Sequence, residues 1–441
     1  MGTQEIVGIL VSLAAIASYI NYKFVKLPKS IGITLVTLGL SLAVAIGGRY
    51  SWEIDILSKN LLDSAGFDET FLHGMLSFLL FAGSLHVNAM ELAKYKLLVA
   101  FLATISVAIS SILIGYAMHG LTSILGIDLP FYYCFVFGAL ISPTDPIAVI
   151  GVLKTIKAPK SLGIKIAGEA LFNDGMGILL FFATLTIASG AEGSLTAQAL
   201  AWLFVRQGIG GLVLGATMGY LAAKLIRTVD DYEVSIILTL AIVTGGYTLA
   251  LSVVEVSAPI AIATAGLVIG SSIKSGSMSE HTLHRLEGFW ELLDAVLNSI
   301  LFVLIGLEFM HITFNIDTSI AAIGAIVITI AARWVSIVIP VGYLPSAFKR
   351  FSPDVMLMMT WGGLRGGISI ALALSIQGPY HDFIVTITYA VVIFSMMVQG
   401  LTIGPLVRKI TKNEAKLFQP VESQPIEPVS PSITIGEETI E

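Results

Sequence analysis

Apolar stretches of about twenty residues, separated by short polar connections, recur along the whole chain. They fall near residues 5–22, 31–48, 70–87, 95–118, 129–153, 162–189, 203–223, 234–252, 257–273, 291–311, 318–344, 355–377 and 383–406. Roughly twenty apolar residues in a helix cover the ~30 Å hydrocarbon layer of a bilayer, so the pattern predicts thirteen membrane-spanning helices. The start of the seventh is soft, because Trp202 to Gln207 mix polar and apolar side chains. Ser275 to Trp290 holds few apolar residues and predicts a separate surface helix. After Lys412 the chain is rich in Pro, Glu, Ser and Thr, which predicts a disordered tail.

Composition agrees with this pattern. Hydrophobic residues make up 56% of the chain and charged residues 12%, against about 25% charged in an ordinary soluble domain. The class is therefore all-α, a polytopic membrane protein. The single cysteine, Cys134, excludes an internal disulfide and a cysteine metal cluster. Ile6 to Ile20 has no basic segment before it and no small-residue cleavage site, so it reads as a retained first span rather than a signal peptide.

The net charge of −6 says less than where the charges sit. One set of connections carries Lys23, Lys26, Lys29, Lys94, Lys96, Lys154, Lys157, Lys160, Lys224, Arg227, Lys274, Arg285, Lys349 and Arg350, with Arg408 and Lys409 after the last span. The alternate set carries only Arg49, Lys59 and Arg206, beside several acids. Positive charge marks the cytoplasmic side. The N-terminus is then outside and the C-terminus cytoplasmic, as an odd number of spans requires.

Against this background the intramembrane acids stand out. Asp145 lies in Ser142-Pro143-Thr144-Asp145-Pro146 on span 5, and Asp174 in Glu169-Ala170-Leu171-Phe172-Asn173-Asp174-Gly175 on span 6. An ionisable group at mid-membrane costs ~2.5–3.5 kcal/mol or more, so each is by default functional. Pro143 and Pro146 cannot donate to the helix ladder, and each disfavours helical geometry in the residue before it. Span 5 should therefore unwind around Thr144. Freed backbone at membrane depth is tolerated only where protein or a wet cavity covers it.

Span 12 carries a second interruption, Gly362-Gly363-Leu364-Arg365-Gly366-Gly367. Each glycine weakens a helix by about 1 kcal/mol relative to alanine. Span 5 is fifth in spans 1–6, and span 12 is fifth in spans 8–13. The offset of seven gives the two halves opposite orientation, with span 7 as linker. Paired interrupted helices in inverted six-helix repeats point to a secondary-transporter site.

Arg333, mid-span in span 11, needs a buried partner, with Glu169, Asp145 and Asp174 as candidates. Glu169 and Asp174 lie about 140° apart on a helix, so Glu169 is assigned to Arg333 and Asp174 to the wet side. Arg365 is expected to counter the carbonyl ends of the broken helices. His86 is a candidate for the pathway. The histidines His281 and His284 read as solvated, and His73, His119, His311 and His381 as span-end residues. Asp294, near the cytoplasmic end of span 10, and Glu308, toward its outer end, are candidates for lining entry routes, with interfacial anchoring the first expectation for both.

Pro143-Thr144-Asp145-Pro146, Glu169 through Gly175, Arg333, and Gly362-Gly363-Leu364-Arg365-Gly366-Gly367 together resemble NhaP-type sodium/proton antiporters of the cation:proton antiporter superfamily. The resemblance runs from span 1 to Arg408. It implies a homodimer in a plasma membrane, a bacterial inner membrane, with dimer-domain helices in 1–90 and, after the linker helix, in 191–315. Core-domain helices would occupy 91–190 and 316–411, with 412–441 as the tail. It implies Asp174 as the shared cation and proton carrier, with Thr144 and Asp145 as supporting Na+ ligands. It also implies Asn173 as a stabilising amide and a Glu169–Arg333 ion pair. No cofactor and no nucleic acid are implied; the partners are membrane lipid, monovalent cations and protons. Many relatives have a serine ligand directly after the glutamate, where this chain has Ala170.

The chemistry requires one group that takes either a proton or a small hard cation, and a partly dehydrated carboxylate does this. With Asn173, not a second acid, beside Asp174, one exchangeable charge remains. The expectation is exchange of Na+ or Li+ for H+, one to one and electroneutral, by alternating access. A K+/H+ antiporter of the same fold is the alternative. The rival enzyme is an intramembrane aspartyl protease with Asp145 and Asp174 as its dyad. Such proteases need Gly-x-Gly-Asp, whereas Leu171-Phe172-Asn173 precede Asp174. A passive cation channel would need no proton-linked carboxylate.

Overall fold

In a bilayer every backbone N–H and C=O must find its partner inside the chain, which leaves apolar stretches little choice but helix. The computed structural model describes residues 3–48, 74–146, 149–151, 153, 160–189, 197–274, 278–309, 315–343 and 353–417. Among these residues the chain is all helical, save one isolated β-bridge. The elements are α1 (Thr3–Ile20), α2 (Lys29–Gly48), α3 (Leu76–His86), α4 (Lys96–Leu125), α5 (Phe131–Ile141) and α6 (Lys160–Ala188). They continue as α7 (Ala197–Ile226), α8 (Tyr232–Val254), α9 (Ala258–Lys274), α10 (Glu280–Glu308) and α11 (Ile316–Tyr343). The interrupted α12 (Pro353–Trp361 and Gly367–Leu374) and α13 (His381–Phe394, a π turn Ser395–Gln399, and Gly400–Leu417) close the order. Eight of the helices are long and apolar enough to cross a membrane, and α2, α3, α5 and α9 are shorter apolar helices.

Dense packing links α3, α7 and α9 on one hand and α4, α5, α6 and α11 on the other. Small residues set the first group. A Cβ on Gly219 of α7 would stand 2.8 Å from the Ala265 carbonyl of α9, and one on Gly266 would stand 3.0 Å from the Phe81 carbonyl of α3. Close backbone approach of this kind is how helices gain contact where lipid offers no hydrophobic drive. Phe137 and Leu140 of α5, Ile370 and Leu372 of α12 and Tyr389 of α13 are fully buried in the main core.

Three expectations are corrected. Glu280 to Trp290 form no separate surface helix but the first turns of α10. Leu283, Leu286 and Trp290 recur at helical spacing, and Leu286 and Trp290 are fully buried against Phe81 and Leu85 of α3. Glu308 is no interfacial anchor, being 8% exposed beside core residues. The helix α13 runs past Lys412 to Leu417, because Glu414 to Leu417 are good helix formers and no proline follows Pro405 before Leu417. Trp202 to Gln207 lie within α7. His73, His311, Lys154, Lys157 and the tail from Phe418 fall outside the described residues.

Candidate functional site

The helix α5 stops at Ile141 with Ser142 as its C-cap, and residues 143–146 lie outside any helix, as two prolines three residues apart demand. The chain is helical again at the described residues 149–151 and 153. The glycine run opens α12 over the five residues between Trp361 and Gly367. The two openings meet. The Asp145 N–H donates to the Leu364 carbonyl at 2.7 Å, an antiparallel bridge between the crossing segments.

Arg365 secures this crossing. Its guanidinium donates to the carbonyls of Ser142 and Pro143, the latter at 2.8 Å. Four residues after Ser142 stands Pro146, which has no N–H to give, so a buried cation at the C-terminal end of α5 meets a carbonyl without its helical donor and the helix dipole. The Arg365 N–H in turn donates to the Ser395 hydroxyl at 2.9 Å, from the π turn of α13. Ser395 carried no motif in the sequence; a π turn in an apolar helix was the only signal, and it is a structural one.

Arg333 of α11 pairs with Glu169 of α6, Nη2 to Oε1 at 2.6 Å, with both side chains about as buried as the core. Its Nη2 also lies 3.5 Å from the Met359 carbonyl near the end of the first half of α12. Gly363 makes room for it, since a Cβ there would stand 2.9 Å from Arg333 Nε. Asn173, fully buried, donates from Nδ2 to the Thr144 hydroxyl at 2.8 Å and so ties α6 to the break in α5.

Asp174 points another way. It lines a cavity of about 340 Å³ together with Thr144, Asp145, Asp294, Asn298 and His86. Asp145 and Asp174 are near enough to act on each other's charge. The Asp145 carboxylate lies over Gly366, where a Cβ would stand 2.7 Å from Oδ2. Gly366 caps the N-terminus of the second half of α12, a place that favours an anion. Pro143, Pro146, Gly366 and Gly367 also line the cavity, and Ala170 sits in its wall one turn before Asp174. Gly362 and Gly363 lie away from it, behind Thr144 and Arg333. His281 and His284 are exposed.

The cavity thus holds a carboxylate pair at the crossing of two interrupted helices, and two buried arginines brace that crossing. Residues 9–409 match the family described as "Sodium/hydrogen exchanger, transmembrane". The chain belongs to the sodium/hydrogen exchanger family. It is 40% identical to the Na+/H+ antiporter NhaP of Pseudomonas aeruginosa over 411 residues, covering 92% of this chain and 96% of that one. It is 32% identical to the Na+/H+ antiporter NhaH of Halobacillus dabanensis over 412 residues, with the same coverage. Its fold matches the sodium proton antiporter MjNhaP1 of Methanocaldococcus jannaschii, with a TM-score of 0.70 and 21% identity, covering 93% of this chain and 99% of that one. Members of the family are transporters, and the protease reading falls.

Proposed function

We propose that the chain is a secondary active antiporter that exchanges Na+ or Li+ for H+ across a plasma membrane, with Asp174 as the shared site. One observation carries this reading. Of the acids at the crossing, Glu169 is paired with Arg333; Asp145 and Asp174 both line the cavity, but Asp145 lies against a helix N-terminus, which leaves Asp174 as the exchanging group. Desolvation disfavours a bare carboxylate, so the side chain takes up either a proton or a cation. The relatives named Na+/H+ antiporters support the choice of ions.

Thr144 and Asp145 supply further oxygens, and Asn173 holds Thr144 in place. With one exchangeable charge the stoichiometry is one to one, so the membrane potential, worth ~2.3 kcal/mol per charge per 100 mV, does not act on the cycle. The cation or proton neutralises Asp174 and permits the site to cross; the bare site stays. The breaks in α5 and α12 are the matching fifth members of two inverted six-helix repeats. Helices α4 to α6 and α11 to α13 move as a core against α1 to α3 and α7 to α10, which hold the homodimer together. The cavity runs from Asp174 toward His86, Gly151 and Ala167, near the chain end of α3 and the start of α6. That is the lysine-rich side, here taken as cytoplasmic. Ala170 removes one hydroxyl oxygen from the wall, which favours K+ over Na+ as the second reading.

The test is a pH-gradient experiment in proteoliposomes. The gradient drives 22Na+ uptake with no current, and Asp174→Asn abolishes uptake while the protein elutes as folded. Retained exchange in Asp174→Asn, or a measured current, contradicts the reading.

A further inference from the structure

Part of the cavity wall belongs to α10, and two of its polar residues have no role in the account above. Asp294 and Asn298 are four residues apart, hence on one face of the helix, and both line the cavity. Asn298 is 6% exposed. Its Nδ2 donates to the Asp294 carbonyl at 3.0 Å, which fixes the end of the amide that is oxygen. That oxygen, Oδ1, accepts no hydrogen bond from any described residue. A buried acceptor left without a donor is ordinarily met by one, or marks a place where something else binds.

The position of the pair says what that is. One turn on, Leu301 packs against Gly367, where a Cβ would stand 2.5 Å from Leu301 Cδ1. The neighbouring Gly366 lies under the Asp145 carboxylate. The α10 wall therefore stands beside the carboxylate pair. It offers a carboxylate and an amide oxygen, and the cavity lining holds no lysine or arginine. Donors of this kind suit a hard monovalent cation. Across the space, Ala170 contributes no oxygen.

We propose that Asp294 and Asn298 form a second cation station on α10, which receives the ion from the cavity mouth and passes it to Asp174. The inference rests on the exchange reading. Asp294 concentrates the hydrated cation by charge. Asn298 Oδ1 then replaces a water in its shell, supplying from α10 the oxygen that Ala170 withholds. The station is transient: an ion held by α10 and by Asp174 together would tie the core to its surroundings.

The experiment is the initial rate of pH-gradient-driven exchange in proteoliposomes, against Na+ and against K+ concentration, at low and high ionic strength. Asp294→Asn raises the half-saturation concentration of both ions about tenfold, the scale of electrostatic focusing in a cleft, and the effect shrinks at high ionic strength. Asn298→Leu changes the ratio of the Na+ and K+ half-saturation concentrations at either ionic strength, and Asn298→Ser, which keeps an oxygen, recovers much of it. A purely structural role would lower the amount of active protein and leave that ratio unmoved. If wild-type protein exchanges but neither constant shifts in Asp294→Asn and Asn298→Leu keeps the wild-type ratio, the station is refuted while the antiporter reading stands. If wild-type protein moves no cation against protons, both fall together.

Discussion

Glu169 and Asp174 are both acids on one helix, five residues apart, and their surroundings separate them. Glu169 is held by Arg333 at 2.6 Å in a nearly solvent-free position. Removing one partner of such a pair leaves a buried charge uncompensated, at a cost of about 3–5 kcal/mol. Arg333→Ala should therefore lower the thermal unfolding midpoint in detergent sharply. Adding Glu169→Gln should recover a large part of it, since the orphan charge is gone. A double variant no more stable than the single one would contradict a structural role for the pair. Much at this scale was legible beforehand. The angular offset on the helix directs one acid to Arg333 and one to the cavity. Asn298 was not legible: a lone amide in an apolar run carries no pattern, and its worth depends on a missing partner that only packing reveals.

At the scale of elements, the site is made by two breaks that complete each other. Prolines open α5 and glycines open α12, and both were readable because those residues alter backbone freedom directly. Which donor closes which carbonyl was not readable. Arg365 reaches back to Ser142 and Pro143, and Ser395 holds its N–H, across more than two hundred and about thirty positions of sequence. Gly366 lies under the Asp145 carboxylate at the crossing. In Gly366→Ala the new methyl meets Asp145 Oδ2 at 2.7 Å, so one of them must shift. The expected outcome is a fall in exchange of roughly tenfold or more, the scale a displacement near 1 Å carries, with helix content by circular dichroism unchanged. Unaltered exchange would mean that Asp145 need not sit where it does.

The start of α10 makes a second case. Ser279 caps the helix through Thr282 N–H, and its own hydroxyl donates to Asp230 at 2.9 Å. This hydrogen bond, with one from Thr282, holds the exposed Asp230 carboxyl below its usual range. A lowered value means the tie is in place at neutral pH and lost only as pH falls through the folded-state value. Hydrogen exchange at the first turn of α10 should therefore stay slow down to mildly acid pH and then quicken, and Asp230→Asn should remove that step. Composition hid this part of α10, since Ser275 to Trp290 look too polar to pack. Its few apolar residues share one face, and that face is enough.

For the whole molecule, the thirteen apolar stretches each hold a helix in the described residues, and the fold is similar to that of a sodium proton antiporter of solved structure. Class and element order followed from hydropathy alone, because a bilayer restricts the backbone so strongly. Burial at the ends of elements did not follow. Glu308 looked interfacial by its place in the span, and neighbours from other helices cover it. The central claim is that a proton and a cation compete for Asp174. The most direct measurement is the rate of 22Na+ exchange in proteoliposomes as a function of both Na+ concentration and pH on the cavity side. A single shared site predicts that the half-saturation concentration rises about tenfold per pH unit on the acid limb while the maximal rate stays constant. A half-saturation concentration that ignores pH, with acid lowering only the maximal rate, would contradict it.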